Sequence, residues 1–262
     1  MSPYNQTDRT EGKNQMLFNI FKSKKGSSDI SWIGTDIHSH LLPGIDDGVK
    51  DANTGVSFIK RLMDIGYHQF IVTPHIYDEV HPNTPETINR AHEKLYEVME
   101  QAGMGGVYTH SAAEYMLGQQ FGKLLAAGGL KAFPDNHLLV EMPYIAEPMQ
   151  LDSTIFDIGI KGYKPIMAHP ERYVFYFNKP EAYHRLKEMG CLLQLNILSP
   201  TGYYGKEVAK AAQYMIKNKL YDLVGTDLHH ERHLNKIIKY VKSGQAYQDF
   251  GHLDLKNKAL FG

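Results

Sequence analysis

The chain has one cysteine, Cys191, so no intrachain disulfide can form and thiolate-rich metal sites are excluded. A reducing compartment, the cytoplasm, is therefore expected. Long hydrophobic runs are missing too. Nothing reaches the ~18–20 apolar residues of a membrane span, and the opening MSPYNQTDRTEGKNQM lacks the apolar core of a signal peptide. Neither membrane insertion nor export is expected. There is no excess of charge of either sign, since 28 Lys and Arg stand against 29 Asp and Glu. That balance argues against nucleic-acid binding driven by bulk positive charge, and an anionic ligand would have to be held by a few placed cations or metal ions. A Gly-x-Gly-x-x-Gly turn after the first candidate strand is also lacking, which removes the best-known dinucleotide signature.

What the chain does have is alternation. Seven β-rich runs are separated by segments of helical spacing: GTDIHSH (34–40), QFIVTPH (69–75), VYTHSAAE (107–114), HLLVEMP (137–143), KPIMAHPE (164–171), CLLQLNI (191–197) and YDLVGTDLH (221–229). Val56, Ile59, Leu62 and Ile65 recur at three-residue steps before Gly66, which can end a helix, and Leu95, Val98 and Ala102 continue the theme. Thr84, Pro85 and Glu86 read as a helix start, with an N-cap, a proline at the first helical position and an acid in the first turn. Repeated strand–helix units predict a parallel α/β sheet closed or nearly closed into a barrel, with an open doubly wound sheet as the rival. Residues 1–30 are largely polar apart from MLFNIF, and 1–32 read as a loosely ordered leader to one domain at 33–262, with Met16 as an alternative start.

The polar residues of these runs fall at their C-terminal ends. His38 and His40 close the first run, His75 the second, Glu114 the third, Glu141 the fourth, His169 the fifth, and Asp227 with His229 the seventh. In an extended segment His38 and His40 point the same way, because side chains alternate with a period of two. Strand C-terminal ends of a β/α barrel open on one face, so residues far apart in sequence become neighbours there. Any one of them alone reads more readily as a structural histidine or a helix cap. Together, five imidazoles and three carboxylates in one mouth would be prohibitive to bury without cations, whereas divalent metals neutralise the carboxylates and use the neutral imidazoles. Asp47 joins them if Gly44 and Gly48 let the loop turn back; an ordinary turn with Asp46 and Asp47 as helix caps is the alternative. Nine such groups exceed the need of one tetrahedral ion and suit a multinuclear site of manganese, iron or zinc. Arg172 in AHPER and Arg232 in DLHHER each lie three residues past a histidine, where a guanidinium can grip phosphate oxygens.

The segments DIHSHLLPGIDDG, VTPH, AAEYML, LVEMP, AHPERY and GTDLHH resemble, in order and spacing, the motifs of the polymerase and histidinol phosphatase (PHP) superfamily over residues 33–255. More closely, they resemble its branch of bacterial capsular and exopolysaccharide tyrosine phosphatases; Glu141, where other branches often carry histidine, favours that branch. The resemblance implies a distorted seven-stranded β/α barrel with three divalent metal ions, Mn²⁺ foremost and iron or zinc as alternatives. It implies that His38, His40, Glu114 and Asp227 hold one metal, Glu114, Glu141 and His169 a second, and Asp47, His75 and His229 a third. The implied reaction is hydrolysis of phosphotyrosine by a hydroxide that the ions stabilise, with Arg172 and Arg232 catalytic on the phosphoryl oxygens. The implied partner is a phosphotyrosine-containing protein, the tyrosine-rich tail of a membrane-anchored bacterial tyrosine kinase that controls polysaccharide export.

A phosphocysteine route needs an arginine six positions after the cysteine, and Ile197 stands there. Cys191 opens an apolar strand and reads as a small buried hydrophobe. Tyr115 and Tyr173 are candidates to line a pocket, although among 17 tyrosines a structural role is the simpler expectation for each. Two other functions stay open on the sequence: a small-molecule phosphatase such as a histidinol phosphatase, and a noncatalytic, metal-stabilised phosphotyrosine-binding module.

Overall fold

The computed structural model describes residues 27–262. Of the leader expected over 1–32, residues 1–26, and Met16 with them, lie outside the described residues. From Ile30 the chain is packed: Ile30 is fully buried, its N–H donates to the Ile65 carbonyl at 2.7 Å, and the Trp32 ring meets Tyr247 edge-on at 5.4 Å.

Among the described residues nine short strands form: β1 (Thr35–Asp36), β2 (Gln69–Val72), β3 (His75–Ile76), β4 (Tyr108–Ser111), β5 (Glu114–Met116), β6 (His137–Glu141), β7 (Lys164–Ala168), β8 (Leu192–Asn196) and β9 (Leu223–Gly225). The helices are α1 (Ala52–Met63), α2 (Pro85–Gln101), α3 (Gln119–Ala127), α4 (Leu151–Ile160), α5 (Glu181–Glu188), α6 (Lys206–Lys217), α7 (Glu231–Lys242), α8 (Gln245–Phe250) and α9 (Asn257–Phe261). Every ladder is parallel, as helical crossovers require. Asp51 caps α1 by accepting the Thr54 N–H at 2.9 Å, and Gly66 ends the following turn at φ +109°. Thr84 caps α2 with Pro85 at its first position and Glu86 in its first turn, as the sequence predicts, and Thr87 completes a reciprocal cap. No helix among the described residues is long and apolar enough to cross a membrane.

The α/β class holds, but hydrogen bonding does not close a seven-stranded barrel. Two open ladders form instead, β1-β2-β4 and β3-β5-β6-β7-β8-β9. The second and third expected strands each break in two. Pro74 interrupts the second, because proline has no N–H to give a ladder, and the third breaks beside it at Ala112–Ala113. Between β1 and β9 only one bridge forms, Ser39 to Leu228, where the Asp227 N–H donates to the His38 carbonyl at 2.7 Å and the His40 N–H to the Leu228 carbonyl at 3.0 Å.

Two apolar clusters hold this frame. The larger lies between sheet and helices. The inner one joins Ile37, Ile71, Ala112, Leu139, Ile166, Ala168 and Leu223 from both ladders and ends on Phe133 and Phe261. α9 caps the strand starts: the Thr35 hydroxyl donates to the Phe261 carbonyl at 3.2 Å, and the Asn257 amide donates to the carbonyls of Thr35 and Val224 at 3.0 and 2.7 Å. The strand C-terminal ends are thus the end left for polar residues.

Candidate metal centre

Loop geometry aims the polar side chains inward. Gly48 passes so close to His40 that a Cβ there would run into the His40 carbonyl oxygen; the Val49 N–H bonds that same oxygen at 3.1 Å, which folds the loop back over the site. His169 (φ +33°) and Asp227 (φ +50°) lie in the left-handed region. Non-glycine residues adopt it at a cost and do so preferentially at functional sites.

All nine expected ligand-type residues come together. Nε2 of His38 lies 3.1 Å from Glu114 Oε2 and 3.4 Å from Asp227 Oδ1, and Nε2 of His40 lies 3.5 and 3.4 Å from the same two atoms. His75 Nδ1 is 3.2 Å from Glu114 Oε2 and 3.0 Å from Glu141 Oε1, while His169 Nε2 is 3.2 Å from Glu114 Oε1. Asp47, 58% exposed, reaches His229 Nε2 at 3.4 Å and His75 Nε2 at 3.7 Å. Four overlapping groups have ligand atoms within 4.8 Å of one another: His40, Asp47, His75 and His229; His38, His169 and Asp227; His38, His40 and Glu114; and His75, Glu114 and Glu141. Glu141 therefore groups with His75 and Glu114, and His169 with His38 and Asp227.

Proton positions test whether a cation fits. Nδ1 of His38 bonds Gln194 Oε1 at 2.9 Å, Nδ1 of His40 bonds Asp46 Oδ2 at 2.8 Å, and Nδ1 of His229 bonds the Asp227 carbonyl at 2.9 Å. Each partner only accepts, so each Nδ1 carries a proton and, in the neutral ring, Nε2 presents a lone pair. Those lone pairs face carboxylates, and the Nε2 atoms of His38 and His40 face each other at 3.3 Å. Acceptors so opposed need a shared cation or extra protons between them. Glu114 Oε2, Glu141 Oε2 and His169 Nδ1 are also buried without hydrogen-bond partners among the described residues, a cost that ligation relieves. The donor set fits divalent metal ions.

The electrostatics show the same demand. Burial opposes charge on His38, yet the facing Glu114 and Asp227 outweigh it and push its pKa up to about 9. Burial likewise opposes charge on His40, and Asp46, Asp227 and Glu114 hold its pKa well above the ordinary imidazole value. Against the same burial, the imidazoles hold Glu114 and Asp227 well below the usual carboxylate range. Asp46 falls to about 2 because His40 overcomes its burial.

The two arginines differ. Arg172 donates through one arm to Asp227 Oδ2 at 2.5 Å, and its Cζ lies 5.1 Å from the Tyr144 ring centre and 4.5 Å from that of Tyr204. Arg232 is exposed at the start of α7, 5.7 Å from the Tyr203 ring, outside the ligand cluster. Tyr115 and Tyr173 are core residues: the Tyr115 hydroxyl accepts from the Lys131 N–H at 2.7 Å, and that of Tyr173 joins Met142 and Ala168 at 2.9 Å each. Sequence reasoning missed the supporting residues. Gln194 and Asp46 orient histidines, and Asn196 donates to Asp227 Oδ2 at 2.9 Å; Gln194 and Asn196 sit two apart near the end of a strand, which was their one signal.

Fold and site together define a parallel α/β protein with an imidazole–carboxylate centre, able to hold metal ions, at the C-terminal ends of its strands. Within that class, the chain belongs to the capsular polysaccharide synthesis CpsB/CapC family, whose pattern matches residues 34–258. It is similar to the tyrosine-protein phosphatase YwqE of Bacillus subtilis (strain 168), 26% identical over 201 residues that cover 76% of this chain and 79% of that protein. It is also similar to the tyrosine-protein phosphatase CpsB of Streptococcus pneumoniae, 24% identical over 199 residues, or 74% and 82% of the two chains. Among solved structures, one from work on YwqE and CpsB of those two organisms, described as metal-dependent tyrosine phosphatases, matches with a TM-score of 0.71 at 23% identity. That match covers 84% of this chain and 96% of the other and carries the fold.

Proposed function

We propose that this chain is a metal-dependent protein-tyrosine phosphatase, with residues 33–262 as its catalytic domain. The observation that carries the reading is the set of Nε2 lone pairs on His38, His40 and His229 turned toward shared carboxylates, with every Nδ1 already engaged. Family membership, and the activity for which the relatives are named, supply the choice of phosphotyrosine. His38, His40, Asp47, His75, Glu114, Glu141, His169, Asp227 and His229 would hold three divalent ions, Mn²⁺ in our reading, with Glu114 shared between two. Bound there, such ions would acidify a water nucleophile and stabilise phosphoryl charge.

The chain's own residues do the rest. Four carboxylates are too few to neutralise three divalent ions, so the loaded mouth attracts a phosphate dianion. Arg172, held by one arm on Asp227, turns its remaining N–H groups to the phosphoryl oxygens. Arg232, exposed outside the ligand cluster, would meet an incoming phosphate. Phenolate, whose conjugate acid has a pKa of about 10, leaves with less proton assistance than an alkoxide needs. The substrate in this reading is a phosphotyrosine-bearing protein of the cytoplasm, namely the tyrosine-rich tail of a tyrosine kinase anchored in the membrane.

Metal-loaded protein should be assayed in parallel on a phosphotyrosyl peptide and on histidinol phosphate. Turnover of the peptide with little of the small molecule is expected. Preference for histidinol phosphate would overturn the substrate, and inertness toward both would overturn the enzyme.

A further inference from the structure

An exposed aromatic ring lies beside the candidate centre. Tyr144 lies three residues past Glu141, on the loop between β6 and α4. Its ring is nearly parallel to that of His169, 17° apart with centres 6.0 Å from each other, and its centre is 5.1 Å from the Arg172 Cζ. His169, Glu141 and Asp227 around it are buried, whereas Tyr144 is 38% exposed. Its hydroxyl makes no hydrogen bond among the described residues, although the charges of Arg172, Glu141, Asp227 and Glu114 act on it. Tyr204, on the other side of the guanidinium, is differently occupied: its hydroxyl accepts from the Asn196 amide at 3.1 Å and its ring backs Arg172 at 4.5 Å.

We infer that Tyr144 is the wall against which the aryl ring of the substrate packs, and so sets the preference of this centre for aryl over alkyl phosphates. The inference rests on the phosphatase reading for its substrate. A phosphoryl group held between the ligand cluster and Arg172 must send its ester oxygen outward. Beside that exit Tyr144 presents an exposed ring, and stacked or edge-on aromatic pairs are favoured beyond simple area burial. An alkyl ester has no ring to present there. The Tyr144 ring also packs against Tyr173 at 5.9 Å, so the wall is braced by the core instead of swinging freely on its loop.

Direct binding separates this role from a structural one. Mn²⁺-loaded wild type, Tyr144→Phe and Tyr144→Ala would be titrated with phenylphosphonate and methylphosphonate, while wild type is assayed for phosphotyrosine turnover. Wild type and Tyr144→Phe should favour the phenyl compound by about two- to tenfold, the range of one aromatic pair. In Tyr144→Ala that ratio should fall to about one with methylphosphonate affinity unchanged, which also reports an intact centre. A phenyl preference that persists in Tyr144→Ala, or an equal weakening of both ligands, would overturn the wall. Absent phosphotyrosine turnover by wild type would instead sink the phosphatase reading, and the phenyl-to-methyl ratio would still judge Tyr144.

Discussion

Asp46 Oδ2 accepts the Nδ1 proton of His40 at 2.8 Å and, from the other side, the backbone N–H of His75 at 3.2 Å. It ligates nothing itself, yet it fixes the tautomer of one proposed ligand and the backbone of another. Partners of this kind typically contribute ten- to a hundredfold in metal affinity. Asp46→Ala is therefore expected to weaken Mn²⁺ binding by about that factor, measured by competition with a fluorescent chelator. Affinity within twofold of wild type would show that His40 is held by other means.

Chelation should abolish phosphatase activity, and Mn²⁺ should restore it at least as well as Mg²⁺. Five imidazoles favour a transition metal over an ion that prefers an all-oxygen shell. Metal analysis of the chelated protein must accompany the assay; full activity in protein shown to be metal-free would contradict the centre.

Cys191→Ser should leave phosphotyrosine hydrolysis nearly intact. The thiol is buried, burial pushes its pKa up to about 12, and no arginine stands six residues on. Arg172→Ala should lower kcat by roughly 10²–10³, as loss of other electrostatic donors does. His40→Ala should act through metal occupancy, so excess metal rescues it in part but does not rescue the arginine variant. A folded, metal-replete and inactive Cys191→Ser protein would return the thiol to the mechanism.

The metal-free protein should lose stability as pH rises. His38 titrates near 9 in the fold against 6.5 for an ordinary imidazole. Protonation thus favours the fold, fully below 6.5, and this contribution disappears as pH passes through about 9. Asp46, lowered from 3.8 to about 2, has the opposite sign: its contribution is present above 3.8 and is lost as pH falls through about 2. Urea midpoints in chelator should fall between pH 6 and 9, whereas with Mn²⁺ on Nε2 the His38 contribution no longer titrates. Equal midpoints across that range without metal would refute the charge state assigned to His38.

The site was more legible in the sequence than the sheet. Strand periodicity and the position of a polar residue at each strand end sufficed to gather eight of the nine ligand-type residues, because burying such groups together leaves few physical alternatives, while Asp47 depended on how its loop turns. Closure of the sheet was not legible. It depends on whether Ser39 and Leu228 extend their one bridge, and on how Pro74 and the Ala112–Ala113 break split the neighbouring strands, which hydrophobic patterning does not encode. Nor could the sequence rank Asp46 against Asp47, since adjacent identical residues share every local signal and only the loop over Gly48 decides which one turns inward. The tyrosines show the same limit: Tyr115 and Tyr173 sit closest to the motifs but face the core, while Tyr144 and Tyr204 reach Arg172 from loops.

The bond from Asn257 to Thr35 spans 222 residues. A ribosome adding ~5–20 residues per second delivers the second partner on the order of ten to forty seconds after the first. Throughout that interval Ile37 and Ile71 have no seal of Phe261 above them, and the edge of β1 waits for β9. His38 and His40 are thus among the first site residues synthesised and among the last to be locked in place. A nascent chain in this state presents an unpaired edge and open apolar surface, the aggregation-prone features that chaperones exist to cover.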